Sequence, residues 1–453
     1  MLDIKYIRDN VDLLRKAITD KRVDLDLDAL LELDGQRRSL LQETESFQAT
    51  KKSFSKEIPT LNEEDKAAKL LEMQEMDKHH TEAIEKLRTI EAEYNNMMLL
   101  VPNIPSPETP IGKDDSENVP WSYWSPELGK VDPTDTDKIA TIPPVFSFEV
   151  KDHVTLGKEL DLIDTERGTE VSGFRGYFLK NELVLMHQGL MWYAMEKLRA
   201  KGFTLMQTPT LVREFALVGS GHFPAGRAEI YQVGNAANLE ATEENADKEK
   251  QFLAGTSEPA LIGYYANQIL EESQLPIQVA GISACYRSEV GSYGKDTRGL
   301  YRVKEFVKVE QVIICKADMT ESETWLEKLR EISEEILQEL KLPYRVLNIC
   351  TGDMGAGKYK MYDLEAWMPG RGSYGETHSD SSFTDWQARR LDIRYKDSEG
   401  KIKYAHTLNN TAVASPRILI ALLENYQQAD GSVKVPEVLQ KYVGTDVIKP
   451  KTV

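Results

Sequence analysis

Cysteine is scarce in this sequence: Cys285, Cys315 and Cys350 are the only three in 453 residues, far apart and never in CxxC spacing. That excludes a disulfide framework and a cysteine-rich zinc site, and leaves three buried thiols as the expectation. Long apolar runs are missing too. The longest, such as Ile418–Leu423, reach six residues, too few for a membrane-crossing helix. No apolar stretch follows the charged start MLDIKYIRDN, so no secretory signal is indicated. The expected compartment is the cytoplasm, with no membrane partner. Positive charge is not in excess either: 56 Lys and Arg face 74 Asp and Glu, a net charge of −18. A protein that coats nucleic acid through a broadly basic surface is thereby excluded, whereas a selective RNA contact through local basic stripes is not.

Glycine and proline almost vanish from the first hundred residues, which hold only Gly35 and Pro59. That is helical composition. Leu33, Leu40, Phe47 and Phe54 recur every seven residues, and Met73, Met76, His80, Ala83, Leu87, Ile90, Tyr94 and Met97 alternate steps of three and four. Both patterns are coiled-coil seams. Between them Pro59 cannot continue a helix and Asn62 can cap the next one, so the chain reverses into an antiparallel helical hairpin. Arms of roughly 30 residues would project about 45 Å. The first arm carries Arg37, Arg38, Lys51, Lys52 and Lys56 as a basic stripe where phosphates could dock. Residues 101–120 hold five prolines and read as a linker. From residue 121 the composition turns to mixed α/β, with a long apolar-periodic helix around 181–200. The expected division is an arm over 1–110 and a second domain over 111–453 with the linker at its start.

Two phosphate-loop patterns are decoys. Gly352–Lys358 has the spacing of a Walker A loop, but Tyr359 stands where a Ser or Thr must hold Mg²⁺, and KMYDLEAW alternates like a strand where a helix is required. Gly370, Gly372 and Gly375 fit GxGxxG with no helix start after them. The informative stretch is Ala284–Glu310, which sets Arg287, Glu289, Lys295, Arg298, Arg302, Lys304, Glu305 and Glu310 among apolar residues. Alternation around 286–289 and 303–310 predicts two strands joined by a Gly-rich loop, with side chains at i, i+2 and i+4 forming a charged floor on one sheet face.

Arg287-x-Glu289, the loop GSYGKDTRGL, Phe306 and Glu310 resemble motif 2 of class II aminoacyl-tRNA synthetases, in the variant of the seryl-tRNA synthetases. Lys201-Gly-Phe203 leading to Pro209 resembles motif 1. Thr256-Ser257-Glu258 resembles the TxE of that family, and Asn409-Asn-Thr411 with Pro416-Arg417 through LLENYQQADGSVKVPEVL resembles motif 3. The hairpin and the linker resemble its tRNA-binding arm, so the likeness spans the chain. It implies an α+β fold, a coiled-coil arm followed by an antiparallel sheet flanked by helices, dimeric through motif 1. The implied activity is ATP-dependent activation of L-serine and its transfer to the terminal adenosine of serine tRNA, with no covalent enzyme intermediate. Service to selenocysteine tRNA stays open.

By the same resemblance Arg287 and Arg417 are the catalytic pair. Arg287 would hold the α-phosphate of ATP; Arg302 and Arg417 would hold the γ-phosphate end, with Arg417 near adenine. Glu289 would accept from the adenine amino group, the Val303 backbone would read its edge, and Phe306 would stack on the ring. Ser288, Thr377 and His378 stand within the matching ATP-binding stretches, His378 as a neighbour rather than a base. Glu376 and Ser379 are the implied Mg²⁺ ligands, both hard oxygen donors. Glu310 and Thr256 suit the serine ammonium, Thr411 and Asn409 its hydroxyl, and Ser257 and Glu258 join the serine set. Six of the seven histidines have no evident role.

Two positions depart from the family. Many members have Arg where this chain has Gly375 and Cys where it has Asp380, so a cation is expected to be lost and an anion gained beside the metal ligands. An aminoacyl ligase for a carrier protein could dispense with the arm, and a coiled-coil scaffold would not retain Arg287, Glu289, Glu376 and Arg417 together. Both fit less well than the ligase for tRNA.

Overall fold

The computed structural model describes residues 1–234, 250–289 and 298–450, which divide into two compact units, Asp3–Pro102 and Asn103–Val453 with Met1–Leu2. Lys295 lies outside the described residues. In the first unit α1 (Ile4–Asp9) and α2 (Val11–Asp20) precede two long helices, α3 (Leu27–Glu57) and α4 (Glu63–Leu100). Asp26 caps α3 by accepting from the Ala29 amide, and Asn62 caps α4 by accepting from the Asp65 amide. Every expected seam residue is buried or half-buried, and the ring of His80 stacks on Phe47 at 4.0 Å. Arg37 pairs with Glu91 at 3.2 Å and Lys51 with Asp77 at 2.6 Å, so α4 descends as α3 ascends. Arg38 likewise pairs with Asp34 at 3.1 Å. Three members of the basic stripe are thus already engaged by acids of the arm, while Lys52 and Lys56 are exposed.

The proline-rich stretch expected to be a linker is strapped to the second unit from residue 103 onward. The Asn103 carboxamide donates to the Gly357 and Phe383 carbonyls at 3.2 and 2.8 Å, the Ser106 amide to Tyr359 at 2.8 Å, and Glu108 pairs with Lys360 at 2.5 Å. Proline forbids a helix there but leaves neighbouring amides free to bond to the body.

Nine strands form the main sheet among the described residues: β1 (Val119–Ser125), β2 (Gly129–Val131), β3 (Thr204–Gln207), β4 (Ile277–Tyr286), β5 (Glu305–Cys315), β6 (Tyr344–Asn348), β7 (Lys360–Met368), β8 (Ser373–Thr384) and β9 (His406–Ala414). Their order is β2-β1-β6-β7-β8-β9-β5-β4-β3, antiparallel except where β3 joins β4. KMYDLEAW is strand β7, as its alternation predicts. The helices that bear on the site are α5 (His153–Glu159), α6 (Glu182–Ala200), α7 (Glu258–Gly263), α8 (Met319–Glu339), α9 (Trp386–Leu391) and α10 (Arg417–Asn425). Helices α6, α8 and α10 bury Leu190, Leu329, Ile336 and Ile418 against one sheet face, together with Val309 and Ile313 of β5. Period-two geometry then turns the alternate residues Phe306, Lys308 and Glu310 to the opposite face, where the cavity lies.

Candidate active site

The cavity measures about 860 Å³, room for a nucleotide and a small amino acid together. Its floor is built by β5, β7, β8 and β9. Beyond the end of β4, the Arg287 amide donates to the Lys304 carbonyl at 2.9 Å, extending the ladder one step. The Arg287 guanidinium lies 5.3 Å from the Phe306 ring centre. Glu289 is held by Arg175 at 3.1 Å and Arg302 at 3.6 Å. At the start of α10, Arg417 donates from Nη1 to Glu376 at 3.0 Å and from Nε to the Tyr301 carbonyl at 3.1 Å. Burial would raise the Glu376 carboxyl, but the Arg417 guanidinium outweighs it and holds the group below its ordinary range.

In an unbroken strand Glu376 and Ser379, three apart, would face opposite sides. A bulge decides otherwise: His378 pairs with Leu364 and Glu376 with Glu365, so Thr377 is the extra residue and both Glu376 and Ser379 line the cavity. Opposite Ser379 sits Asp363, whose Oδ1 has no hydrogen-bond partner. Burial and the neighbouring Glu376 push its carboxyl well above the usual range. An orphaned carboxylate oxygen beside a carboxylate and a hydroxyl is a hard-oxygen donor set, which fits Mg²⁺.

A second group is acidic and hydroxylic. Glu310 pairs with Lys308 at 2.5 Å and faces Thr411 across the β5–β9 ladder. Glu258 accepts from Gln387 at 2.6 Å, and Gln387 in turn accepts from Thr407 at 2.7 Å. Burial raises both Glu258 and Glu310. Thr256 and Asn409 complete the wall. His222 also lines it, but burial and then the charge of Arg287 lower it to about 3, so it is neutral.

Thr256, Glu258, Arg287, Glu289, Arg302, Val303 and Phe306 therefore line one cavity with Glu310, Glu376, Thr377, Ser379, Asn409, Thr411 and Arg417. Three expected residues do not. The Ser257 hydroxyl is buried against the Gly281 carbonyl at 3.2 Å, and Ser288 donates to the Ala228 carbonyl at 2.9 Å. His378 turns to the helical face and donates from Nε2 to the Ala412 carbonyl at 3.0 Å, its pKa lowered to about 4 by burial. The two departures also read differently in three dimensions. A Cβ on Gly375 would come within 2.8 Å of Tyr301 and 2.9 Å of Met368, and Arg371, missed in the sequence, lines the cavity 4.2 Å from the Tyr301 ring centre. Lys358 and Arg371 belong to the two glycine patterns that are not phosphate loops, yet both stand in the cavity wall.

Asp380, expected beside the metal ligands, shares the helical face with its partner Asn410, which bonds Leu329 and Ser333 of α8. Its carboxyl is fully buried, neither oxygen has a hydrogen-bond partner, and burial raises its pKa well above the usual range against the pull of Arg330. The folded chain thus keeps a proton that the unfolded chain gives up, and stability falls as pH climbs from the ordinary carboxylate range toward the raised value. Asp380→Asn has no proton to lose. The difference in melting temperature between Asp380→Asn and the parent should widen in the mutant's favour from pH 5 to pH 8; parallel curves would contradict this assignment.

Doubly wound nucleotide-binding folds set phosphates at helix N-termini beyond parallel strands. Here the cations stand at the ends and connections of antiparallel strands and at the start of one following helix, around a cavity with a separate carboxylate and hydroxyl end, and that architecture defines a class II aminoacyl-tRNA synthetase. Residues 240–426 match the family model described as tRNA synthetase class II core domain (G, H, P, S and T), and residues 1–105 match the seryl-tRNA synthetase N-terminal domain. The serine–tRNA ligase of Deinococcus radiodurans is 42% identical over 98% of both chains. Among solved structures, the Pyrococcus horikoshii seryl-tRNA synthetase complexed with ATP superposes with a TM-score of 0.88 at 36% identity over 100% of both chains. That of Naegleria fowleri in complex with AMP gives 0.81 at 30%, over 98% of this chain and 96% of the other. The chain belongs to the seryl-tRNA synthetase family.

Proposed function

We propose that this protein activates L-serine with ATP and transfers it to the terminal adenosine of serine tRNA. The observation that carries the reading is a single cavity joining the cations Arg287, Arg302, Arg371 and Arg417 to the Glu258, Glu310, Asn409 and Thr411 pocket. The serine carboxylate attacks the α-phosphorus of ATP as the bond to the β-phosphate breaks and pyrophosphate leaves, and the charge on the phosphoryl oxygens meets Arg287, fixed before the reaction starts. Arg302 and Arg417 take the outer phosphates, while Phe306 offers a flat face and Glu289 an acceptor to adenine. Glu376 and Ser379, with Asp363 beside them, would hold Mg²⁺, which when bound draws charge from the triphosphate. Glu310 and Thr256 receive the serine ammonium. Thr411 and Asn409 read its hydroxyl.

The tRNA is assigned to the arm, through Lys51, Lys52 and Lys56 with Arg37 and Arg38. Exposed ion pairs such as Lys51–Asp77 are weak and readily exchanged for phosphate. A homodimer through motif 1 is supported by the open edge of β3 and by Trp192, Leu185 and Val184, exposed on α6. The cytoplasm is the proposed location; among the described residues no helix is long and apolar enough to cross a membrane. ATP-dependent attachment of radiolabelled serine to serine tRNA tests the function, and absence of any attachment by well-folded protein would overturn it.

Thr411→Val should erode selection of serine over alanine. A site built to bond a hydroxyl rejects the analogue that lacks it because its own polar groups are left unpaired, and the isostere removes that penalty. The ratio of kcat/KM for serine over alanine in pyrophosphate exchange should drop by about tenfold or more. An unchanged ratio would move the hydroxyl reader to Asn409.

A further inference from the structure

One histidine without a role at the sequence level bridges three elements behind the nucleotide wall. Glu424, 1% exposed near the end of α10, accepts from the His153 amide at 2.9 Å and from the His153 ring at Nδ1 at 2.8 Å, and its other oxygen accepts from the Gly370 amide at 2.9 Å. On the far side of the ring the Leu300 amide donates to Nε2 at 3.0 Å. A backbone N–H can only donate, so Nε2 is the acceptor and the proton sits on Nδ1, where the Glu424 carboxylate holds it. The charged groups around the ring are Glu424, the neighbouring Asp152 and Arg298.

The local sequence is shaped to this contact. Gly299 has φ +72°, and a Cβ there would fall 2.1 Å from His153 Nε2. A Cβ at Gly370 would fall 2.7 Å from the Asp152 backbone and 3.0 Å from the Glu424 carboxyl carbon. Both glycines make room for the same chain of bonds.

What that chain holds is the start of the nucleotide wall. Leu300 is fully buried, and Tyr301, Arg302 and Val303 after it line the cavity. Arg417 grips the next carbonyl directly, Nε to Tyr301 at 3.1 Å, with its guanidinium 4.5 Å from the Tyr301 ring centre. Arg417 and Glu424 are seven apart on α10 and so share a face. One helix therefore grips two consecutive residues, Tyr301 by a direct bond and Leu300 by relay.

We propose that His153 is a positioning residue for the nucleotide: held by Glu424, it pins the Leu300 amide and thereby sets where Tyr301, Arg302 and Val303 stand against Arg417. The inference rests on the reading of this cavity as the ATP site. His153→Asn keeps a donor near the place of Nδ1 but has no atom at the place of Nε2, whereas the longer carboxamide of His153→Gln can reach both partners. In serine-dependent pyrophosphate exchange, His153→Asn should raise KM for ATP about tenfold, the scale of one buried hydrogen bond, with kcat and KM for serine within about twofold. His153→Gln should recover most of the loss. ATP affinity measured by calorimetry without serine should show the same order, parent, His153→Gln, His153→Asn, even if exchange with serine fails. Exchange failing in the parent overturns the proposed function, and equal ATP affinity in a folded His153→Asn overturns the clamp. An equal loss for ATP and serine also overturns it, because that marks general loosening. If His153→Asn does not fold, a His153→Gln that folds but binds ATP as weakly as a Leu300 wall without its anchor, about tenfold below the parent, counts against the relay.

Discussion

Arg287→Ala lowers serine-dependent pyrophosphate exchange by at least about 100-fold, the scale of removing one fixed donor from a developing oxyanion. The side chain faces the cavity and rests on Phe306, while the strand pairing around it is made by backbone. Its removal should therefore leave the melting temperature near that of the parent. In the proposed role its charge meets phosphoryl oxygens that become more anionic only as the reaction proceeds, so the loss should fall mainly in kcat and less in KM for serine. Exchange at near parental rate would show that the α-phosphate is met elsewhere.

Shortening the arm separates the two units by function. Leu27 and Leu30 of α3 are buried in the same unit as Ile7, Leu14 and Ala17, so the base of the hairpin is best left in place. Arg37–Glu91 and Lys51–Asp77 fix the register, which sets residues 43 and 85 at one level of the hairpin, where a short glycine link can replace everything between. That deletion takes Lys51, Lys52 and Lys56 with it and leaves every cavity residue untouched. Exchange should stay within about twofold while charging of serine tRNA falls by at least about 100-fold, the loss expected when several phosphate contacts disappear together. Charging by the intact protein should also weaken with salt more steeply than exchange does. Equal charging by both forms would place the RNA contact on the second unit.

The arm was readable because a heptad needs only local information: each seam residue from Leu33 to Met97 is at least half-buried, and Asn62 caps the helix it was expected to cap. The charged floor followed from period two along β5, which turns Phe306, Lys308 and Glu310 to one side. What stayed hidden depends on partners distant in sequence. Whether Asp380 or Ser379 faces the ligand is decided by a bulge at Thr377. Gln387 reaches Glu258 from another helix, and Asp363 becomes significant only because β7 lies against β8. His153 stands more than a hundred residues from both of its partners. The linker misled because proline density marks the absence of helix and strand, which is equally true of a strap bonded to the body.

Amino-acid-dependent pyrophosphate exchange, run with serine, alanine, threonine, cysteine and glycine in turn, tests the central claim most directly. The paired Glu258–Glu310 and Asn409–Thr411 groups predict exchange with serine and preference over alanine by about 10⁴-fold, as expected for a site that must satisfy its own hydroxyl-reading groups. Faster exchange with any other member of the panel, or none with serine by folded protein, would contradict it.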